Sequence, residues 1–446
     1  MSRYNISMDK TEPIRETISL CPVCRKRIPA VLVEDDGSVY MEKECPVHGA
    51  FRPRIAKYAH YYQDLARLYG LLRKHFPCRP TAVESCAFTA TLDCNLNCPI
   101  CFAGDEDRVM PREMPLSEIE EKLIPIRGAG IMFKLHGGEP TLRKNLPEII
   151  RLVRRSGNYP VLVTNALKLD DFDYLTSLKE CGLYAIAPSF DARDDDTIYE
   201  RMRGRPLAGR REELLKNARR LGLKLMIFFV AVKGVNEGQL AAILEMTREY
   251  PEIYKVIVLA YMHRGCRGFS EENEYTADET WEVVVDATDV FSSLDDLYIA
   301  LKINIIARSL RHRYQCFNSQ TVLMPRSGRR ADGFNPDRWR RVIERFEELL
   351  GTRPGRARRY FLRKLGSDLL KKGFLKPLTE RLILRKKELA DTFIPPGYYW
   401  LQFQTMYYPK NYDEKMVKEF CPFFSFNPGL EKRVSFCEYY NLYLKT

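Results

Sequence analysis

Three cysteines within nine residues constrain this chain more than any other feature. They lie in Cys94-Asn-Leu-Asn-Cys98-Pro-Ile-Cys101-Phe102, at separations of four and three. An apolar-alternating run from Phe88 to Asp93 precedes them and reads as a strand, which puts the thiols on the loop leaving it. Soft thiolate sulfur suits iron–sulfur chemistry, and three thiolates on one loop can hold three irons of a 4Fe–4S cluster. The loop offers no fourth cysteine. One iron is then left open to a substrate or cofactor, like the open position of a catalytic zinc site.

The rest of the composition sets the frame for that loop. A chain of 446 residues is long enough for two or three domains, and 45% hydrophobic with 29% charged residues is ordinary for a globular protein. The longest apolar runs, such as Leu225 to Val232, are too short to cross a bilayer, and Met1 to Lys10 holds no apolar signal-peptide core. Thirteen cysteines, several in C-x-x-C clusters, favour metal ligation in a reducing compartment over a disulfide framework. The expected location is the cytoplasm.

Residues 1–80 read as a small metal-binding module. Ser19-Leu-Cys21-Pro-Val-Cys24 and Cys45-Pro-Val-His48-Gly49 are two knuckles flanking a hairpin whose turn is Asp35-Asp36-Gly37-Ser38. That is the layout of a zinc ribbon or rubredoxin-like site. Cys21, Cys24 and Cys45 supply three ligands; the fourth is His48 or a later cysteine. Mononuclear Zn and Fe both suit such a site. A helix is expected from Tyr58 to His75. Cys78 and Cys86 follow it, either as further ligands or as two buried thiols.

Residues 81–300 alternate strands with helices, which argues for βα units on a parallel sheet. Expected strands are Phe88–Asp93, Ile131–Leu135, Pro160–Thr164, Leu183–Phe190, Lys224–Val230 and Lys255–Ala260. Helices are expected between them, at Leu116–Ile126, Leu146–Ser156, Phe172–Cys181, Arg210–Leu221 and Glu237–Tyr250. The fold class is therefore α/β, a partial (β/α)6 barrel with its chemistry at the carboxyl ends of the strands. The second strand ends in His136-Gly137-Gly138-Glu139-Pro140, where two glycines allow close backbone approach and a carboxylate can take an ammonium group. The third ends in Thr164-Asn165-Ala166 and the fourth in Ser189-Phe190-Asp191.

The CxxxCxxC loop with its following aromatic, and the Gly-Gly-Glu-Pro turn 36 residues after Cys101, together resemble the signature of the radical S-adenosylmethionine (SAM) superfamily. The resemblance implies that Cys94, Cys98 and Cys101 hold the catalytic 4Fe–4S cluster, whose open iron chelates SAM. It also implies that Phe102, Gly137, Gly138, Glu139, Asn165, Ser189 and Asp191 bind the cofactor. Reductive cleavage of SAM then gives a 5′-deoxyadenosyl radical, with electrons from a donor such as ferredoxin or flavodoxin.

Residues 301–446 are expected to form a C-terminal α+β auxiliary-cluster domain. Its tail runs from Cys421-Pro-Phe-Phe to Ser435-Phe436-Cys437-Glu-Tyr-Tyr-Asn441. With the amino-terminal knuckles and the Cys78/Cys86 approach, this tail resembles the archaeal tetraether-lipid-synthase family, some members of which are also described as pterin methyltransferases. The chain departs from that family where His75-Phe-Pro-Cys78 replaces a Cys-Gly-Leu-Cys pair and where Phe424-Ser425 follows the tail cysteine. The resemblance implies auxiliary Fe–S clusters or mononuclear Fe or Zn, with Cys316, Cys421 and Cys437 as ligands; Cys266 is a further candidate. Of the net charge of +12, residues 353–388 carry +10. There Phe361, Leu362, Leu365, Leu369 and Leu370 recur at helical spacing among basic residues, as in a helix lying on an anionic membrane surface.

Three functions follow from this reading. The first is radical C–C cross-linking of archaeal isoprenoid ether phospholipid chains by a peripheral, not transmembrane, enzyme. The second is a radical SAM methyltransferase or maturase acting on a pterin, peptide or RNA. The third, a non-catalytic zinc-binding nucleic-acid module, is disfavoured by the complete core motif.

Overall fold

The computed structural model describes residues 13–77, 85–101, 113–263, 268–310, 316–330, 334–371, 394, 397–420, 423–425, 434–438 and 441. Cys78, Phe102, Cys266 and Cys421 lie outside these residues.

The amino-terminal module is a five-stranded antiparallel sheet. Its strands are β1 (Pro13–Leu20), β2 (Arg27–Asp35), β3 (Ser38–Cys45), β4 (Gly49–Phe51) and β5 (Arg54–Ala56), with β5 paired to β3. The helix α1 (Ala59–His75) follows and buries Leu65, Leu68 and Leu72 on one stripe. The module is tied to the tail of the chain. Arg15 pairs with Asp413, which also accepts from Thr17 Oγ1 at 2.9 Å. The buried ammonium of Lys43 donates to Ser19 Oγ and to the carbonyls of Leu20, Pro409 and Lys410 at 2.7–2.9 Å. Burial draws the Lys43 ammonium down to about 7.

Six strands then run parallel in sequence order, as the alternation predicts: β6 (Ser85–Thr91), β7 (Met132–Gly137), β8 (Tyr159–Thr164), β9 (Ala185–Pro188), β10 (Lys224–Ala231) and β11 (Ile253–Ala260). All six are mostly buried, because helices cover one face and the barrel interior takes the other. The covering helices include α2 (Leu116–Leu123), α3 (Leu146–Arg155), α4 (Phe172–Glu180), α5 (Asp196–Arg203), α6 (Ala208–Leu221) and α7 (Leu240–Glu249).

The helices α8 (Glu279–Asp286) and α9 (Leu294–Ser309) lead out of the barrel core. Residues 301–446 extend the same sheet at both edges. β12 (Ser319–Pro325) pairs antiparallel with β13 (Tyr398–Gln404), and β13 runs parallel to β11. At the other edge β14 (Phe423–Ser425) runs parallel to β6, with β15 (Val434–Ser435) beyond it. The result is one ten-stranded sheet.

The described part of the basic segment, residues 353–371, is helical from Pro354 and packed on another helix. α10 (Pro336–Thr352) and α11 (Pro354–Lys371) pack against each other. Phe361 is fully buried between Trp339 and Phe346, at ring-centroid distances of 5.8 and 5.3 Å. Leu365 packs on the same core, while Leu362 is exposed. Phe361 and Leu365 are thus used inside the fold, where a lipid-facing helix would leave them open. The side chains of Leu369 and Leu370, and residues 372–388, lie outside the described residues.

Candidate active site

The carboxyl ends of the barrel strands surround a cavity of about 250 Å3. Cys94, Cys98 and Cys101, on the loop leaving β6, line one side of it. The inward residues of successive strands complete it: Ser85 and Ala87 of β6, Lys134 and His136 of β7, Val163 of β8, Ser189 after β9, Phe228 and Val230 of β10, and Leu259 of β11. The alternation by two is that of a barrel wall. Burial pushes the His136 imidazole down to about 3, so it is uncharged near neutral pH.

The glycines of the β7 turn are required by backbone crowding. A Cβ on Gly137 would overlap the Thr91 carbonyl, and one on Gly138 would overlap the carbonyls of Leu92 and Asp93. Gly137 also has φ +138°. This close approach lets Gly138 N–H donate to Thr91 O at 2.8 Å and Glu139 N–H to Asp93 O at 2.7 Å, fixing the root of the cysteine loop. Both glycines line the cavity.

Glu139 is placed otherwise than the sequence suggests. Its carboxylate is 0% exposed and turned away from the cavity. It accepts from Thr141 N and Oγ1 at 3.0 and 2.7 Å, from Thr164 Oγ1 at 2.7 Å and from Asn165 N at 2.7 Å. The acid motif therefore braces the ends of β7 and β8, and offers no face to an ammonium group. Asn165 lines the cavity and reaches back to the loop, with its Nδ2 donating to Asn95 Oδ1 at 2.8 Å and lying 3.9 Å from Cys94 Sγ. Ala166 takes φ +60°, a conformation that a glycine adopts without strain.

Asp191 is likewise fully buried. It holds Arg203 through two bonds, Nε to Oδ2 at 2.6 Å and Nη2 to Oδ1 at 2.8 Å. Arg203 lines the cavity. Burial lowers its guanidinium, but Asp191 and the neighbouring Cys98 thiol raise it well above its ordinary value. The sequence reading missed Arg203 because α5 is short and polar. Its ends were nevertheless marked: Asp195 caps Thr197 N and Ile198 N, and Gly204 closes the helix in the left-handed region.

The expected cysteines separate into groups. Cys21, Cys24, Cys45 and His48 bring their ligand atoms within 4.8 Å of one another, which settles His48 as the fourth member. The backbone N–H of Val47, against burial and with help from His48, draws the Cys45 thiol down to about 6. Among the described residues no other group of three or more gathers so tightly; the loop cysteines are spread wider, as a multi-iron cluster needs and a single ion does not. Cys86 sits between the cavity-facing Ser85 and Ala87, so it points to the opposite face of β6 and is not placed to ligate there. Cys316 and Cys437 line the cavity with the loop cysteines, although more than 200 residues separate them in sequence from the loop.

Residues 89–247 match the model of the radical SAM superfamily, and residues 13–57 match that of the HMPTM N-terminal zinc ribbon domain. The chain is 30% identical over 311 residues to 7,8-dihydro-6-hydroxymethylpterin dimethyltransferase of Methanocaldococcus jannaschii, covering 64% of this chain and 61% of that protein. It is 30% identical over 188 residues to Fe-coproporphyrin III synthase of Methanosarcina barkeri, covering 41% of this chain and 45% of that protein. Streptococcus suis SuiB bound to S-adenosylmethionine aligns at 18% identity and a TM-score of 0.40, over 54% of this chain and 61% of SuiB. The cofactors are accordingly a 4Fe–4S cluster and SAM, with a further metal in the ribbon. No helix among the described residues is long and apolar enough to cross a membrane. The thiol loop at the mouth of a six-stranded parallel barrel thus has its explanation: residues 89–247 carry a radical SAM domain.

Proposed function

We infer that this radical SAM enzyme is a methyltransferase acting on a reduced pterin. The observation that carries the reading is the cavity itself. Beside the cysteine loop it presents Lys134, His136, Ser319 and Gln404, polar groups that suit a nitrogen heterocycle. An alkyl chain in the same place would leave them facing hydrocarbon, which is unfavourable. The match to the pterin dimethyltransferase across the ribbon and barrel supports the same substrate class. Lipid cross-linking, the first reading of the sequence, draws no comparable support, since Phe361 of α11 is buried and Leu365 packs against the core.

In this reading Cys94, Cys98 and Cys101 hold the 4Fe–4S cluster, and SAM bound to it supplies the 5′-deoxyadenosyl radical. Gly137 and Gly138 bring backbone close to the methionyl group, while Asn165 and Ser189 line the cofactor's side of the cavity. Arg203, aimed by Asp191, offers a fork that matches a carboxylate. Glu139 keeps these elements in register. Cys316 and Cys437 are two thiols, fewer than a closed metal site needs, so an auxiliary centre there draws on further ligands.

Anaerobic incubation of the reconstituted protein with SAM, a low-potential reductant and 7,8-dihydro-6-hydroxymethylpterin is expected to give methylated pterin by mass spectrometry, with 5′-deoxyadenosine and methionine from the SAM that supplies the radical and S-adenosylhomocysteine from a second SAM that supplies the methyl group. Pterin recovered unchanged while an added archaeal ether phospholipid becomes cross-linked would overturn the assignment.

A further inference from the structure

The wall of the cavity beyond the sixth barrel strand carries polar groups that the cysteine loop does not use. β13 places Gln402 and Gln404 two residues apart, on one face of the strand. β12 sets Ser319 opposite Gln404 in register. Gln402 is 3% exposed and lies behind them. Its carboxamide Nε2 donates to Ser319 Oγ at 2.8 Å and to Gln404 Oε1 at 2.9 Å. These two bonds occupy acceptor positions on both partners. Each keeps one lone pair and its donors, the NH2 of Gln404 and the hydroxyl proton of Ser319, and both residues line the cavity. Lys134 lines the same cavity with an ammonium that only donates.

We propose that Gln404 and Ser319 form the substrate-recognition edge of the cavity, set by Gln402 to donate to a planar heterocycle with adjacent acceptors, a ring nitrogen beside a carbonyl oxygen. This rests on the reading of the cavity as a pterin site and names the residues that discriminate there. A donor-rich edge rejects a ligand that lacks acceptors, because the donors then stay buried without partners. Gln402 does not touch the substrate; it is a positioning residue that fixes which way the Gln404 amide and the Ser319 hydroxyl point.

The test is calorimetric binding of 7,8-dihydro-6-hydroxymethylpterin to the anaerobic, cluster-loaded full chain. Gln404→Leu and Gln404→Glu are both expected to weaken Kd by about tenfold or more, since one removes the donor and the other replaces it with an acceptor of the same size. Ser319→Ala, the smallest change of shape, is expected to weaken it severalfold. Gln402→Leu is expected to raise KM for the pterin while leaving kcat near its original value, the mark of lost uniform binding. Iron content and SAM affinity equal to the parent protein identify folded variants; should a Gln404 variant lose its iron, Ser319→Ala decides. If the parent protein binds the pterin and these variants bind it equally well, the recognition edge is overturned while the pterin reading stands. If the parent protein does not bind it, the pterin reading falls and takes the recognition edge with it.

Discussion

Glu139→Ala is expected to leave the cysteine loop without most of its iron and to lower the stability of the whole barrel. Glu139 joins three strand ends. Its N–H holds Asp93 at the root of the loop after β6, its own backbone ends β7, and its carboxylate holds Thr164 and Asn165 at the end of β8. Removing the carboxylate leaves two backbone N–H groups and two hydroxyls buried without acceptors, at about 1–3 kcal/mol for each that finds no new partner. Against a total stability of roughly 5–15 kcal/mol that is a large loss. Asn165, released from Glu139, no longer holds Asn95 and Cys94 in place. Glu139→Gln keeps one acceptor and is expected to fall between the two. Iron per chain after reconstitution and the midpoint of thermal unfolding measure both effects. Parental iron content in Glu139→Ala would show that the brace is not needed.

The second large effect is expected at Asp191. Asp191→Ala removes the counter-charge of a buried arginine, and breaking such a pair by deleting one partner costs about 3–5 kcal/mol. The double variant Asp191→Ala/Arg203→Met should be the more stable of the two, because no buried charge is left unpaired. Both should bind SAM weakly, since each lacks an aimed guanidinium beside Cys98. Unfolding midpoints of the single and double variants, with SAM affinity by equilibrium dialysis, separate the structural effect from the binding effect. Equal stability of the two variants would mean that the Asp191–Arg203 pair is not held as a buried ion pair.

Much of the barrel was legible because its strands are short, apolar and separated by amphipathic helices. The six expected strands are the six observed, with ends that coincide or shift by up to three residues, as for Phe88–Asp93 against Ser85–Thr91. The cysteine loop and the glycine turn were legible because few chemistries need those residues at those spacings. The direction of a side chain was less legible. Glu139 directly follows the cavity-lining Gly138 and Asp191 stands two residues after the cavity-lining Ser189, but both are buried as acceptors for neighbouring donors. The pairing of β13 with β11 and of β14 with β6 joins residues far apart in the chain, and local sequence carries no signal for such partners. For the same reason Gln404 and Ser319 could not be placed at the cavity in advance. The α11 stripe read as a membrane face because a helix buried by a neighbouring helix and one buried in lipid share the same periodicity.

The most direct test of the account is electron paramagnetic resonance of the anaerobically reconstituted, reduced protein, recorded with and without SAM and paired with iron, sulfide and zinc analysis. A 4Fe–4S signal is expected whose shape changes when SAM is added and which is lost in Cys98→Ala, with zinc or iron retained by the ribbon in that variant. A protein that holds only the ribbon metal, or an iron–sulfur signal indifferent to SAM, would contradict it.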